Sequence, residues 1–133
     1  MISAVDTNVL LDILRPNPAF AERSAALIDR CGREGPLCLC EIVHAELSAH
    51  FGKYEDLDRF LGEVGIRVDS TNRHAGYLAG RAWRQYRAAG GPRDRILSDF
   101  LIGAHAQVQA GRLLTRDRGF YRGYFPELSI VEG

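Results

Sequence analysis

The sequence has 133 residues, of which 46% are hydrophobic. A chain of this size buries one sizeable core and is too short for two ordinary domains, so we expect one domain over residues 1–133. No apolar run reaches the roughly 18 to 20 residues that cross a bilayer, and the N-terminus lacks a basic segment followed by a long apolar one. We therefore expect a cytoplasmic protein without a membrane partner.

The formal net charge is zero, with 17 basic and 17 acidic residues, so the total charge excludes no class of partner. The two halves differ, because residues 1–66 hold six basic and eleven acidic residues whereas residues 67–133 hold eleven and six. Lys53 is the only lysine, and the planar arginine side chain suits bidentate phosphate contact. A carboxylate-rich site beside an arginine-rich surface is typical of a metal-dependent enzyme acting on a polyanion, although genomic base composition also explains surplus arginine.

Apolar periodicity, glycines and prolines predict strands that alternate with helices. In chain order the predicted elements are strand Ile2–Val5, helix Thr7–Leu14, helix Ala19–Arg33, strand Pro36–Cys40, helix Glu41–Phe51, helix Tyr54–Val64, strand Ile66–Val68, helix Thr71–Tyr86, helix Ile96–Ala110, strand Arg112–Thr115, a helical turn Phe120–Phe125 and edge strand Leu128–Val131. Residues 16–18 are predicted to form a turn and residues 88–93 a flexible loop. The alternation implies an α/β fold with a parallel sheet covered on both faces.

Three cysteines cannot all pair, and Cys38 and Cys40 would point to the same side of a strand, so reduced thiols are expected. A zinc site formed by Cys38, Cys40, His44 and His50 is the alternative. Its histidines lie about one and a half helical turns apart, which disfavours tetrahedral convergence and favours buried thiols.

Two acidic residues follow predicted strands. Asp6 comes directly after the first strand, and Asp117 comes after the fourth. Ligands of open parallel sheets bind in the crevice outside the carboxyl ends of the strands. Both carboxylates are therefore expected at one edge of the sheet, although Asp6 has the alternative role of an N-cap for the following helix.

Two further acids lie in apolar helices. Asp99 sits in the first turns of a helix that is apolar nearly all round, so its charge needs a cation or donors, and Gly103 would leave room beside it. The structural alternative is that the negative charge of Asp99 stabilises the N-terminal end of the helix through the helix dipole. Glu46 is expected to point inward or towards the crevice, and its alternative is an exposed pair with His50. Asp94 is interpreted as a solvated partner of its flanking arginines.

Four converging carboxylates would repel one another and raise their own pKa values. Hard divalent cations that prefer oxygen ligands, Mg²⁺ or Mn²⁺, resolve that conflict. The sequence therefore predicts a cation site formed by Asp6, Glu46, Asp99 and Asp117.

These residues resemble the PIN-domain ribonucleases, most closely the toxins of VapBC-type toxin–antitoxin modules, over essentially the whole chain. The resemblance rests on four pieces: Asp6-Thr7-Asn8; the Glu46 in Glu41-Ile42-Val43-His44-Ala45-Glu46-Leu47; the Asp99 in Ser98-Asp99-Phe100-Leu101-Ile102-Gly103-Ala104; and Thr115-Arg116-Asp117 with Phe120. Each piece alone is a weak pattern, whereas four acids in the order of the family are a specific one.

The resemblance implies a five-stranded parallel sheet and a Mg²⁺- or Mn²⁺-dependent endoribonuclease, the toxin of a type II toxin–antitoxin system. It implies that the four acids form the site, with Asn8 and Thr115 supporting them by hydrogen bonds. We expect Asp6 and Asp99 to be the principal ligands, with Glu46 and Asp117 completing the shell directly or through water. Cations held there would acidify a water and offset charge on the leaving oxygen. A homodimer and a cognate antitoxin lying over the active-site groove are also implied.

Arginines near the acids are candidates for RNA phosphate contacts, and a solvated surface arginine is the alternative for each. These candidates are Arg93, Arg95, Arg116 and Arg118.

Other functions remain open at this point. One is a PIN scaffold that has lost catalysis and binds RNA or a protein partner. Another is a phosphatase of the haloacid-dehalogenase type, but Asn8 stands where that family has its general acid. A receiver-type phosphoacceptor lacks support because no lysine lies near the C-terminal strands. No Ser-His-Asp or Cys-His motif is present.

Overall fold

The computed structural model describes residues 1–15, 17–92 and 95–131. The predictions for Pro16, Arg93 and Asp94 lie outside the described residues. Within the described part the chain forms five strands and seven helices: β1 Ser3–Val5, α1 Thr7–Leu14, α2 Ala21–Glu34, β2 Leu37–Leu39, α3 Glu41–Ser48, α4 Tyr54–Val64, β3 Ile66–Val68, α5 Arg73–Ala88, α6 Leu97–Gln109, β4 Arg112–Leu114, α7 Arg118–Tyr124 and β5 Ile130–Val131. No helix in these ranges is both long and apolar enough to cross a membrane.

The five strands form one parallel sheet in the order β3-β2-β1-β4-β5, which confirms the predicted architecture. The chain moves from β1 outward to β3, crosses back to β4 and continues to β5. Because parallel crossovers are right-handed, the opposite directions place helices on opposite faces of the sheet. β1 has a neighbour on each side, so its carboxyl end lies where the direction of the chain reverses, the usual place for a ligand crevice.

The central strands are buried on both faces, as a sheet covered by helices requires. All three residues of β1 and all three of β2 are buried. The backbone continues the pairing beyond β1, because Asp6 N donates to Leu114 O at 3.0 Å. This bond sets the first acidic residue against the end of β4.

Three helix boundaries differ from the prediction, and a side-chain cap explains one of them. α5 begins at Arg73 instead of Thr71, because the Asn72 side chain accepts from Ala75 N at 2.9 Å and caps the helix. Thr71 donates from its backbone N and its hydroxyl to Glu41. α2 begins at Ala21, two residues later than predicted, and α3 ends at Ser48, three residues earlier.

The turn after α4 forms as the sequence indicates. Gly65 ends the helix with φ 82°, in the left-handed region that favours glycine. Residues 89–92, predicted as a flexible loop, are tied to Tyr86, which accepts from Gly91 N at 2.9 Å and donates its hydroxyl to Pro92 O.

An aromatic cluster packs α5, α6 and α7 together. Phe100 of α6 contacts Tyr86 with ring centroids 5.4 Å apart and Phe120 at 5.1 Å. Gly103 lies beside this cluster, and a Cβ built there would meet the Phe125 ring at 2.5 Å. Gly103 therefore makes room for Phe125, which the sequence did not predict.

Gly103→Ala is expected to lower the free energy of unfolding by about 2 kcal/mol, because Phe125 is 1% exposed and has nowhere to move. Urea unfolding at equilibrium measures the loss. The matched control is Gly62→Ala in α4, where a Cβ meets nothing within 4 Å. The control should gain about 0.5 to 1 kcal/mol, since alanine is the better helix former. Equal effects at the two glycines would refute the packing argument.

Candidate active site

Asp6 follows β1 and is 6% exposed. Its Oδ1 accepts from Thr7 N at 2.7 Å, so it does cap α1. Its Oδ2 accepts from three side chains: Thr115 Oγ1 at 2.7 Å, Asn8 Nδ2 at 3.2 Å and the Tyr121 hydroxyl at 3.2 Å. Asn8 and Thr115, named from the sequence as supporting residues, thus both bind Asp6. The two proposed roles of Asp6 are compatible, because one oxygen caps the helix and the other is held at the sheet edge.

Burial raises the pKa of Asp6 from 3.8 to about 6. Hydrogen bonds from Thr115, Thr7 and Tyr121 lower the pKa, and the negative charge of Glu46 raises it. The chain itself therefore leaves the Asp6 carboxylate short of positive charge. A cation beside it would offset the cost of burying that charge.

Two threonines connect Asp6 to neighbouring acids. Thr7 donates from Oγ1 to Glu46 Oε1 at 2.6 Å while its backbone N binds Asp6. Thr115 donates to Asp6 and accepts from Asp117 N at 3.0 Å. Glu46 is exposed, and its contact with Thr7 places its carboxylate near the carboxyl end of β1. These contacts join the carboxyl ends of β1 and β4 to α3.

Tyr121 and Asp99 complete the cluster from α7 and α6. Asp99 Oδ2 accepts from Ile96 N at 3.0 Å, so Asp99 also caps its helix. The pKa of the Tyr121 hydroxyl is raised, first by burial and then by the charge of Asp6 and its hydrogen bond. The charges of Asp99 and Asp117 raise it further. Three of the four predicted acids therefore raise the pKa of the buried Tyr121 hydroxyl, and Glu46 raises the pKa of Asp6.

The four carboxylates match a hard divalent cation in ligand type. All the donors are carboxylate oxygens, which Mg²⁺ and Mn²⁺ prefer. Among the described residues, no three of these acids place oxygens within 4.8 Å of one another. Mg²⁺ keeps several waters and uses only one or two carboxylates directly, so an open acidic edge of this kind suits it.

Arg95 binds one of the acids. Its guanidinium donates to Asp117 Oδ2 at 2.5 Å and Oδ1 at 3.2 Å, and it lies over the Phe120 ring at 4.3 Å. The pair is partly exposed, 28% for the arginine side chain and 35% for the aspartate. Arg95 was predicted to contact RNA phosphates, and the structure shows it at the acidic site itself.

Arg116 binds a buried acid that the sequence did not single out. Asp12 of α1 is 3% exposed and accepts from Arg116 at 2.8 and 3.0 Å and from Ser24 Oγ at 2.6 Å. The same guanidinium lies over the Phe20 ring at 4.1 Å. Arg23, Arg116 and Arg118 line a cavity of about 210 Å³ next to Thr115.

Asp12→Ala is expected to lower the free energy of unfolding by about 2 kcal/mol, because it leaves the buried Ser24 hydroxyl without its acceptor and removes the anchor of Arg116. Chemical denaturation measures the loss. Asp29→Ala removes the exposed Asp29–Arg33 pair and serves as control, with a change within about 0.5 kcal/mol. A loss no larger at Asp12 than at Asp29 would contradict this expectation.

The sequence did not reveal the contact of Cys38 with Asp69 and His105. The structure groups Cys38 with these two residues instead of with Cys40, His44 and His50, in the part of the chain it describes. The cysteines are free and buried, and burial raises the pKa of the Cys38 thiol to about 11. The expectation of reduced, buried thiols holds for all three cysteines.

Comparison with known proteins agrees with the fold. The family model described as "PIN domain" matches residues 4–126. A search of curated proteins gives no significant match. The chain is similar in fold to VapBC2 from Rickettsia felis bound to a promoter DNA fragment, with a TM-score of 0.75, 18% identity and coverage of 98% of each chain. It is also similar to VapBC-1 from nontypeable Haemophilus influenzae, with a TM-score of 0.72, 20% identity and coverage of 99% of this chain and 98% of that chain. FitAcB from Neisseria gonorrhoeae gives a TM-score of 0.69 at 22% identity, with 99% and 97% covered.

Proposed function

Because the chain belongs to the PIN-domain family, we propose that it is a metal-dependent endoribonuclease that hydrolyses RNA phosphodiester bonds. Residues 1–133 act as one such domain in this proposal. The observation that carries it is the buried Asp6 carboxylate, whose pKa is raised to about 6 at the sheet edge where Glu46, Asp99 and Asp117 also lie. A buried acid short of positive charge among other acids is suited to binding a cation and unsuited to stabilising a fold.

The proposed ligands of Mg²⁺ or Mn²⁺ are Asp6 and Asp99, with Glu46 and Asp117 binding directly or through water. Such a cation supplies an acidified water and charge compensation for the phosphodiester when it is bound. Thr115, Asn8 and Tyr121 hold Asp6 Oδ2 in one orientation. Thr7 keeps Glu46 turned towards the same edge.

Arginines beside the acids supply the proposed contacts to RNA. The partly exposed Arg95 lies on Asp117, where it can also meet a phosphate at the site. Arg116 and Arg118 line the cavity next to Thr115, so phosphates or a base on that side would meet positive charge. Arg93 is proposed from its place in the sequence.

We propose that the chain is the toxin of a type II toxin–antitoxin system that acts on cytoplasmic RNA and inhibits growth. The similar solved structures support this proposal, because their descriptions name VapBC proteins and a toxin–antitoxin complex from Klebsiella pneumoniae. The cognate antitoxin would be the inhibitory partner. A homodimer is proposed too, since Tyr77 is 67% exposed and Ile96 is 60% exposed, areas that a second copy would cover.

The test is to incubate the purified chain with total RNA in Mg²⁺, in Mn²⁺ and with excess chelator. Discrete cleavage products that need the metal support the nuclease. RNA that is retained but never cut indicates a binding module and refutes the enzyme. Phosphate release from small esters without RNA cleavage indicates a phosphatase and also refutes it.

A further inference from the structure

Three elements bring a cysteine, an aspartate and a histidine together away from the acidic edge. Cys38 lies in β2, Asp69 follows β3 and His105 lies in α6. One possible ligand atom from each lies within 4.8 Å of the other two, and His105 Nε2 is 3.0 Å from Asp69 Oδ2. His105 is six residues beyond Asp99, or roughly 9 Å further along the axis of α6. The cluster is therefore separate from the proposed nuclease site.

We propose that Cys38, Asp69 and His105 form a second metal site, and that it binds Zn²⁺. Thiolate and imidazole ligands select borderline-soft cations such as Zn²⁺, whereas Mg²⁺ prefers oxygen. Ligand atoms of a tetrahedral zinc lie roughly 3.5 Å apart, given the usual zinc–ligand bond lengths, so small side-chain rotations bring these three atoms to that spacing. The remaining position is filled by water.

The negative charges of the proposed ligands neutralise a divalent cation. As the bond between sulfur and zinc forms, the Cys38 thiol releases its proton to solvent. The resulting thiolate and the Asp69 carboxylate carry two negative charges, and His105 binds as a neutral ring. Cys38 and His105 are buried at 0% and 1% exposure, while the Asp69 side chain is 33% exposed. The cation and the water therefore enter from the Asp69 side.

Gln109, one turn beyond His105 on α6, orients the carboxylate. Its Nε2 donates to Asp69 Oδ2 at 3.1 Å and to Ser70 O at 2.9 Å, and its Oε1 accepts from Asn72 N at 2.8 Å. The backbone of Asp69 is held as well, by donation to Leu39 O at 2.8 Å. Hydrogen bonds that fix a ligand in this way are a common support of metal sites.

Other roles fit this cluster less well. A Cys-His-Asp nucleophile needs an accessible sulfur, and Cys38 is fully buried. A buried ion pair accounts for His105 and Asp69 but not for the thiol beside them. A bound zinc uses all three side chains and links β2, β3 and α6, the helix whose first turn carries Asp99.

The test uses Co²⁺ as a spectroscopic substitute for Zn²⁺ in the full chain, with excess Mg²⁺ to occupy sites that have only oxygen ligands. The wild-type chain should bind one Co²⁺ that shows thiolate-to-metal charge transfer, and Zn²⁺ should displace it. Cys38→Ala should abolish the band. The matched control is Cys40→Ala, because Cys40 is also buried, lies two residues away and is outside the cluster. The control should keep the band unchanged.

Two further measurements keep the test decisive if Cys38→Ala folds poorly. His105→Gln should weaken Zn²⁺ binding by at least about 10-fold while the unfolding profile of the metal-free protein shows a folded chain. X-ray absorption of the zinc-loaded wild type should show one sulfur ligand with nitrogen and oxygen ligands. Absence of the charge-transfer band in the wild type, its survival in Cys38→Ala, or a zinc shell without sulfur would each overturn the proposal. None of these results depends on nuclease activity, so this proposal and the proposed function can fail separately.

Discussion

An Asp6→Asn variant is expected to cleave RNA about 10³-fold more slowly than the wild type at saturating Mg²⁺ or Mn²⁺. A metal ion contributes several kcal/mol to the stabilisation of transition-state charge, and about 4 kcal/mol corresponds to 10³ in rate. Asparagine keeps the size of the side chain and removes the negative charge that the cation needs. Initial rates of cleavage of a defined RNA measure the effect.

Asp58→Asn is the matched control for charge alone, because Asp58 is an exposed acid on α4 that has no contact with the site. It should cleave at the wild-type rate. Circular dichroism of both variants establishes that the chains are folded. A folded Asp6→Asn variant that retains full activity would remove Asp6 from the reaction.

The second large effect is a pH dependence of stability in metal-free protein. Asp6 has a pKa of about 6 in the fold and an ordinary value of 3.8, so the folded state binds its proton more tightly. Its stabilising contribution is complete below pH 3.8 and is lost as the pH rises through 6. The difference between these pKa values corresponds to about 3 kcal/mol, so the wild type should lose about that much stability from this group by pH 7.5.

Comparison of the wild type with Asp6→Asn isolates this group from the other titrating residues. Urea unfolding is measured with chelator at several pH values from 4 to 7.5, and the difference in unfolding free energy between the two proteins is plotted. The wild type should fall relative to the variant as the pH rises. A difference in unfolding free energy that does not change with pH would show that burial does not raise the pKa of Asp6.

The places of Asp6 and Asp117 at the ends of strands could be predicted because strand ends are marked locally in the sequence, although β1 pairs with the distant β4. Asp6 and Asp117 each follow an apolar strand run, and the carboxyl ends of neighbouring parallel strands meet at one edge. Glu46 and Asp99 were singled out because they are acids within apolar helices. The direction in which their side chains point depends on packing, which the sequence pattern does not give. The fold class and the order of elements followed from the same alternation of strands and helices.

Patterns of this kind do not predict contacts between residues that are remote in the sequence. Tyr121 reaches Asp6 only because α7 packs behind the sheet edge, and an aromatic residue in an aromatic-rich segment gives no sign of that. Cys38, Asp69 and His105 have no recognisable metal-ligand spacing in the sequence, and only the folded chain brings their side chains together. The partner of Arg116 was missed for the same reason, since Asp12 is 104 residues away in the chain.

Direct Mn²⁺ binding measured by electron paramagnetic resonance tests whether Asp6, Glu46, Asp99 and Asp117 share a divalent cation. The wild type should bind Mn²⁺, and Asp99→Asn should weaken that binding at least about 10-fold. Glu55→Gln, which changes an exposed acid of α4, should leave it unaltered. Mn²⁺ affinity that is identical in the wild type and Asp99→Asn would contradict the claim.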